Sequence, residues 1–330
     1  MSHNPDDKIV VVGIDDASIQ KYGIFPWDRK LYVPLIQNLE NSGAKVIAFD
    51  IIFDTESKDK TSDTALANEF AKYKNIVLPS YGEMPSSPTK TNELVTARNF
   101  TRPLPIFAAN TKTGHINRLA DSDGKIRKSW LMINDGDKPM YSMAYTVSEL
   151  YGNDASGYLN KHPQTQMYIK YDGNSEDFTT FSFAKVAEGE YSPETFKDKI
   201  VLIGFTGPGY DESITPVERN MKLVYVHANI ISQLLSGEYI DYVSLWVIFL
   251  VSLLGIALVI FLAWKLNSTL SSMLTLGIMV LLALGQYFLF SGTGIFFDVV
   301  YIILALFVTY LVNVSIKAYR TMKEKEHITR

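Results

Sequence analysis

Residues 8–53 read KIVVVGIDDASIQKYGIFPWDRKLYVPLIQNLENSGAKVIAFDIIF, and this stretch decides the fold. Its first seven residues are an apolar, β-branched run closing on Asp15-Asp16, the pattern of a strand buried on both faces that opens into a polar loop. Residues 31–40 then carry Leu35, Ile36 and Leu39 at helical spacing and stop before Gly43; residues 45–53 are a second buried strand with Asp50 inside it. Strand, helix, strand at this spacing implies a right-handed crossover. The fold class that follows is α/β, a mostly parallel sheet with helices on both faces.

The pattern continues outward from there. Asp63 is placed to cap a helix over residues 64–74, and residues 75–78 return as a short strand. Residues 81–105, rich in Ser, Thr and Pro, read as a long surface excursion, and residues 115–134 as a hairpin around Asp123-Gly124. A helix is expected over 140–151, short strands near 167–171 and 179–183, a buried strand over 199–205, and a helix over 224–235 stopped by Gly237.

Beyond residue 242 the solvent changes. Residues 243–264 run 22 positions without a charge, which at about 1.5 Å per residue crosses a hydrocarbon core of about 30 Å. Residues 266–297 form a second charge-free run, broken by Ser291-Gly292-Thr293-Gly294. Two further spans are therefore expected, near 270–290 and 295–316, with residues 317–330 starting a charged helix beyond the membrane. From Val243 onward, six basic residues (Lys265, Lys317, Arg320, Lys323, Lys325, Arg330) outnumber three acidic ones (Asp298, Glu324, Glu326). The basic residues fall in the first loop and after the last span, so both are expected on the cytoplasmic side. Residues 1–242 are then extracytoplasmic, outside an inner or plasma membrane. Residues 1–8 (MSHNPDDK) are neither a signal nor a span, so the sequence is expected to be trimmed from a longer protein.

Composition excludes several classes. A net charge of −4 gives no nucleic-acid signature, and zero cysteines remove disulfide staples, thiol nucleophiles and Cys-ligated metals. No metal or cofactor is expected. Gly204-Phe205-Thr206-Gly207-Pro208-Gly209 follows a strand but lacks the Gly-Lys-Ser/Thr ending of a phosphate-binding loop, and Pro208 removes an amide donor. Asp121-Ser122-Asp123-Gly124 has its glycine too early for a calcium loop and reads as a turn. No serine-hydrolase elbow or His-Glu-x-x-His is present.

Asp15, Asp16 and Asp50 fall at or near the ends of two parallel strands, where ligands of such sheets bind. The structural alternative is helix capping, or a buried Asp–Arg pair with Arg29 or Arg127 as partner. Pro26-Trp27-Asp28-Arg29 reads as the start of the first helix. His227 lies in an apolar helical stretch, either a satisfied core histidine or a group that responds to pH. Asp15, Arg29, Asp50, Arg127, Asp211 and His227 are the candidate ligand-binding residues.

The residues 8–53 string, DSDGKIRKSWLM, KDKIVLIGFTGPGYDESITP and VYVHANIISQLLSG, followed by three spans, resemble the second class of the CHASE sensor domains. The most specific elements are Ile14-Asp15, Pro26-Trp27-Asp28-Arg29, Phe49-Asp50, Asp123-Gly124 with Arg127, Lys199–Gly204, Thr215-Pro216 and His227-Ala228-Asn229. A proline-glycine pair usual before the last motif is replaced here by Lys222-Leu223-Val224-Tyr225. The resemblance implies an extracytoplasmic input module of a bacterial adenylate cyclase, diguanylate cyclase or histidine kinase. It also implies a membrane span before the sensor and a cytoplasmic output domain after the third span. The expected function is signal reception without catalysis, by a homodimer in the lipid bilayer that binds a small or envelope-derived ligand. An interaction scaffold without ligand is the first rival. An outer-face enzyme using Asp15 and Asp50 for acid–base work is the second.

Overall fold

The computed structural model describes residues 4–85, 94–162, 165–209 and 211–328, with side chains given to residue 325. The chain divides into two compact units, Ser2–Tyr239 and Ile240–Arg330.

In the first unit the strands β1 (Ile9–Ile14), β2 (Val46–Phe49), β3 (Ile76–Glu83), β4 (Arg98–Thr101) and β5 (Lys112–His115) alternate with helices. These are α1 (Asp16–Tyr22), α2 (Tyr32–Asn41), α3 (Lys60–Phe70) and α4 (Pro105–Ala108). Then come β6 (Arg118–Ala120), β7 (Ile126–Trp130), β8 (Met132–Asn134), β9 (Pro139–Tyr141), α5 (Met143–Tyr151), α6 (Ser156–Lys161) and β10 (Gln166–Tyr168). The unit finishes with β11 (Thr180–Ser182), α7 (Phe183–Ala187), β12 (Ile200–Phe205) and α8 (Leu223–Ser236). The main sheet runs β11-β1-β12-β2-β3, with β4 and β5 both on β3. Every pairing in it is parallel except β3 with β4.

The central strands are apolar throughout because helices cover both faces. Ile9, Val11, Val46, Ala48 and Leu202 share one core with α5 and α8. Val10, Val12, Ile47, Phe49 and Ile203 face the other, where Leu35, Ile36 and Leu39 of α2 and Phe70 of α3 pack fully buried. Each such side chain contributes about 1.5–3 kcal/mol by leaving water.

Local chemistry corrects several sequence expectations. Asp59, not Asp63, caps α3, accepting the Thr61 N–H at 2.9 Å. The excursion over 81–105 is partly sheet, since β3 extends to Glu83 and β4 pairs with it; residues 86–93 lie outside the described residues. Asp50 stands just beyond β2 rather than within it. Pro26 does not open a helix: the Phe25–Pro26 peptide is cis, Asp28 caps a short 3-10 turn, and α2 begins at Tyr32. The hairpin around Asp123-Gly124 is present as β6 and β7, with β10 completing a three-stranded sheet.

The second unit holds α9 (Leu245–Lys265), α10 (Ser268–Thr293) and α11 (Val299–Ile328), each long and apolar enough to cross a membrane. α10 passes through Ser291-Gly292-Thr293, with the Thr293 hydroxyl donating to the Leu289 carbonyl, and it ends only at Gly294, in the left-handed region at φ 75°. Residues 295–296 are therefore not helical. They pair with Asp241–Tyr242 as two short parallel strands, and α11 starts at Val299. Val243 N–H donates to the Phe296 carbonyl at 2.9 Å, and the Gln286 side chain accepts the Phe297 N–H at 3.2 Å.

Candidate functional site

The carboxyl ends of β1, β12 and β2 lie side by side, and β3 and β5 end along the same edge. A crevice at this edge is the position where open parallel sheets bind ligands. Here it is a cleft of about 380 Å³, with Asp50, Arg118 and Asp211 as its charged lining and Phe25, Phe205 and Leu223 among its apolar walls.

Two close approaches shape it. Gly204, inside β12, leaves no room for a side chain: a Cβ there would lie 2.8 Å from the Val224 Cβ and 3.3 Å from the Asp50 Cβ. That glycine lets the start of α8 and the end of β2 meet across β12. One turn into α8, His227 Nε2 then stands 3.7 Å from Asp50 Oδ1, both side chains being less than a tenth exposed.

Burial sets the protonation of this pair. It pushes the Asp50 carboxyl up to about 6, with the Arg118 charge acting in the opposite direction. Burial holds His227 down at about 3, with Arg118 lowering it further and Asp211 opposing. His115, at the end of β5 and fully buried, is also held near 3, by burial first and by His227 second. Asp211 is raised by burial and by the Asp50 charge. At neutral pH the site therefore holds two neutral imidazoles and one guanidinium beside two carboxyls. The Nε2 atoms of both His115 and His227 are buried without a hydrogen-bond partner among the described residues.

Of the six candidate residues, Asp50, Asp211 and His227 come together here. Asp15 does not line the cleft: it caps α1, accepting the Ser18 N–H at 2.9 Å and the Ser182 hydroxyl at 3.1 Å. Arg29 is buried over the Phe53 ring, with Nε 3.7 Å from Asp63 Oδ1 and Nη2 donating to the Thr55 carbonyl. Arg127 grips its own hairpin, donating to Asp121 and in a fork to Asp123 at 2.8 Å. Its guanidinium holds the Asp123 carboxyl down at about 2. Helix capping thus describes the place of Asp15, whereas a buried pair of Asp15, Asp16 or Asp50 with Arg29 or Arg127 does not form: Arg29 faces Asp63, and the partly exposed Arg127 binds Asp121 and Asp123. Asp15 and Asp50 therefore do not line one cleft.

His115 and Arg118 were missed by sequence reasoning. The signal was present: His115 ends a strand parallel to β3 and Arg118 follows it, so the same carboxyl-end rule finds them once residues 112–115 are read as a strand of the main sheet. Among the described residues no group of three or more His, Asp or Glu side chains is placed to hold a metal ion.

Comparison with known proteins places this architecture. Residues 1–263 match the family model of the CHASE2 domain. No curated protein and no solved structure matches the chain. The match reaches from the residues before β1 into the first apolar helix, and the chain belongs to the CHASE2 family of extracytoplasmic sensor domains, here followed by helices of a multi-pass membrane protein.

Proposed function

We propose that the chain is the receiving and membrane-crossing part of a signalling receptor, with the sensor unit outside an inner membrane and the end of α11 in the cytoplasm. A signal held in the cleft beside Asp50 moves α8 against the sheet. Binding of this kind shifts the balance between two packings. A cytoplasmic output domain, a cyclase or kinase, reads the result, and two copies of the chain act together.

The observation that supports this most is that one helix carries both ends of the path. α8 begins with Leu223 in the cleft wall, sets His227 against Asp50 one turn later, is fastened along its side, and ends at Gly237 a few residues before α9. Asn229 accepts the N–H groups of Asp172 and Gly173, Ser232 donates to Asp172, and Gln233 accepts from Lys170 N–H and donates to the Tyr168 carbonyl. Residues 241–243 are in turn hydrogen-bonded to residues 294–296, so displacement of the linker is felt at the start of α11 as well as α9.

The absence of native cysteine allows a clean test. Single cysteines at Glu56 and Thr321 are probed with a membrane-impermeant maleimide in intact cells. Labelling is expected at Glu56 before lysis and at Thr321 only after it. A spin label at Thr321 in nanodiscs is then expected to change mobility when Asp50→Ala is introduced. Reversed labelling overturns the orientation, and an unchanged label spectrum overturns the coupling.

A further inference from the structure

The charges of the cleft specify more than a crevice. Arg118 is half-buried, and among the described residues its guanidinium makes one long hydrogen bond, Nη1 to the Ile116 carbonyl at 3.5 Å, with no carboxylate in ion-pair reach. A guanidinium presents five donors in a planar fork that matches a carboxylate. In the same cleft the Asp50 carboxyl accepts no hydrogen bond among the described residues, and His227, 3.7 Å from it, is held neutral. Buried polar groups in native proteins are nearly always paired. This cleft leaves a donor fork and a carboxyl acceptor open to the same space.

Ligand classes can be sorted by what each does to those groups. A simple carboxylate satisfies Arg118 and adds like charge beside Asp50 and Asp211. A dicarboxylate or phosphate worsens that repulsion. A simple amine satisfies the carboxyls and leaves Arg118 open. A neutral polyol pairs with neither charge fully. A small molecule carrying both an ammonium and a carboxylate satisfies both without altering the net charge of the site. The size of the cleft agrees, since about 380 Å³ lies at the small end of ligand pockets, which run from about 300 to 1,000 Å³. Beside the hydroxyl-bearing Tyr81 and Thr101, the other walls, among them Phe25, Ile51, Phe205 and Leu223, are apolar.

We propose that the cleft binds a small zwitterion of the free α-amino-acid class with an apolar side chain, its carboxylate on Arg118 and its ammonium between Asp50 and Asp211. This rests on the reading of the cleft as the receiving site. An ammonium beside Asp50 restores the ionised carboxylate that burial disfavours, so binding at mildly acidic pH releases a proton from the site.

The test uses the whole chain in nanodiscs and isothermal titration with the twenty common amino acids. For each one that binds, its amide (no carboxylate) and its N-acetyl derivative (no ammonium) are titrated as well. At least one apolar amino acid is expected to bind, and both blocked analogues are expected to be about tenfold weaker or worse. Arg118→Gln is expected to bring the amino acid down to the level of its amide. Asp50→Asn is expected to bring it down to the level of its N-acetyl derivative. Equal binding of either blocked analogue, or no binding by any amino acid, overturns the ligand class. The spin label at Thr321 separates the two failures. If Asp50→Ala still shifts that label while no amino acid binds, the receiving-site reading stands and the zwitterion is wrong; if the label is also unmoved, both fall.

Discussion

Lys170 Nζ lies 2.9 Å from Asp172 Oδ1, with the two side chains 7% and 3% exposed. The contact is electrostatic rather than a well-aimed hydrogen bond, since Oδ1 has no hydrogen-bond partner and Oδ2 takes the Ser232 hydroxyl. Glu238, just past α8, pairs with the same ammonium. The cluster therefore ties the last turn of α8 to the segment beside β10, at the point where the sensor unit hands over to the linker.

Removing the cation from such a cluster strands a buried carboxylate. Lys170→Met is expected to destabilise the sensor unit by about 3–5 kcal/mol, measured by urea unfolding in detergent. Adding Asp172→Leu to Lys170→Met is expected to recover most of the loss, because an apolar pair of similar volume needs no partner.

The Asp50 carboxyl works against folding. Its value rises from about 3.9 in the unfolded chain to about 6 in the folded one, so the folded state binds the proton more tightly. The penalty is absent below the unfolded value and is complete once the pH exceeds about 6, where it amounts to about 3 kcal/mol. Asp50→Asn is accordingly expected to raise the melting temperature at pH 7.5. That gain should shrink steadily towards pH 4, as thermal unfolding across the pH series will show.

The two buried histidines act in the opposite sense. Both are held near 3, well below the unfolded value of about 6.5, so the unfolded chain takes up protons first. Their stabilising effect is present above pH 6.5 and is lost as the pH falls towards 3. At pH 5 each histidine removes about 2 kcal/mol, partly offset by Asp50. His227→Gln is expected to flatten the fall in stability between pH 7 and 5, and an unaltered slope would mean that His227 already carries its proton in the folded protein.

In the membrane unit, Gly255 of α9 faces Leu306 of α11 so closely that a Cβ would lie 2.8 Å from the Leu306 Cδ2. Small residues at such contacts let helices pack by van der Waals attraction in lipid. Gly255→Ala is expected to be tolerated, because the end of a leucine side chain can turn aside. Gly255→Leu is expected to lower thermal stability in detergent, with partial rescue by Leu306→Ala.

What the sequence reveals and what it hides have physical reasons here. The runs at residues 9–14, 46–49 and 200–205 announce buried strands because each is apolar on both faces, and Asp50 and His227 stand out as polar groups in apolar surroundings. Sheet order is invisible, because nothing local to residues 200–205 says that they insert between two strands made much earlier. Asp15 is as conspicuous as Asp50 in the sequence. Its capping bond from the Ser18 N–H is local, and its further bond from the Ser182 hydroxyl is one that only the fold brings beside it. Arg118 becomes legible only when residues 112–115 are read as a parallel strand of the main sheet, which sets it near that strand's carboxyl end.

β12 holds the sheet together from its middle, between β1 and β2, yet it begins at Ile200, long after those strands end at Ile14 and Phe49. A nascent chain emerging from its amino end cannot complete this sheet strand by strand. β1 and β2 must wait with facing edges unpaired until nearly the whole sensor unit has been delivered. Such non-local pairing is slow to form and leaves sticky edges exposed meanwhile. The unit is thus built to mature late, as one event, at about the time its own membrane helices begin to be made.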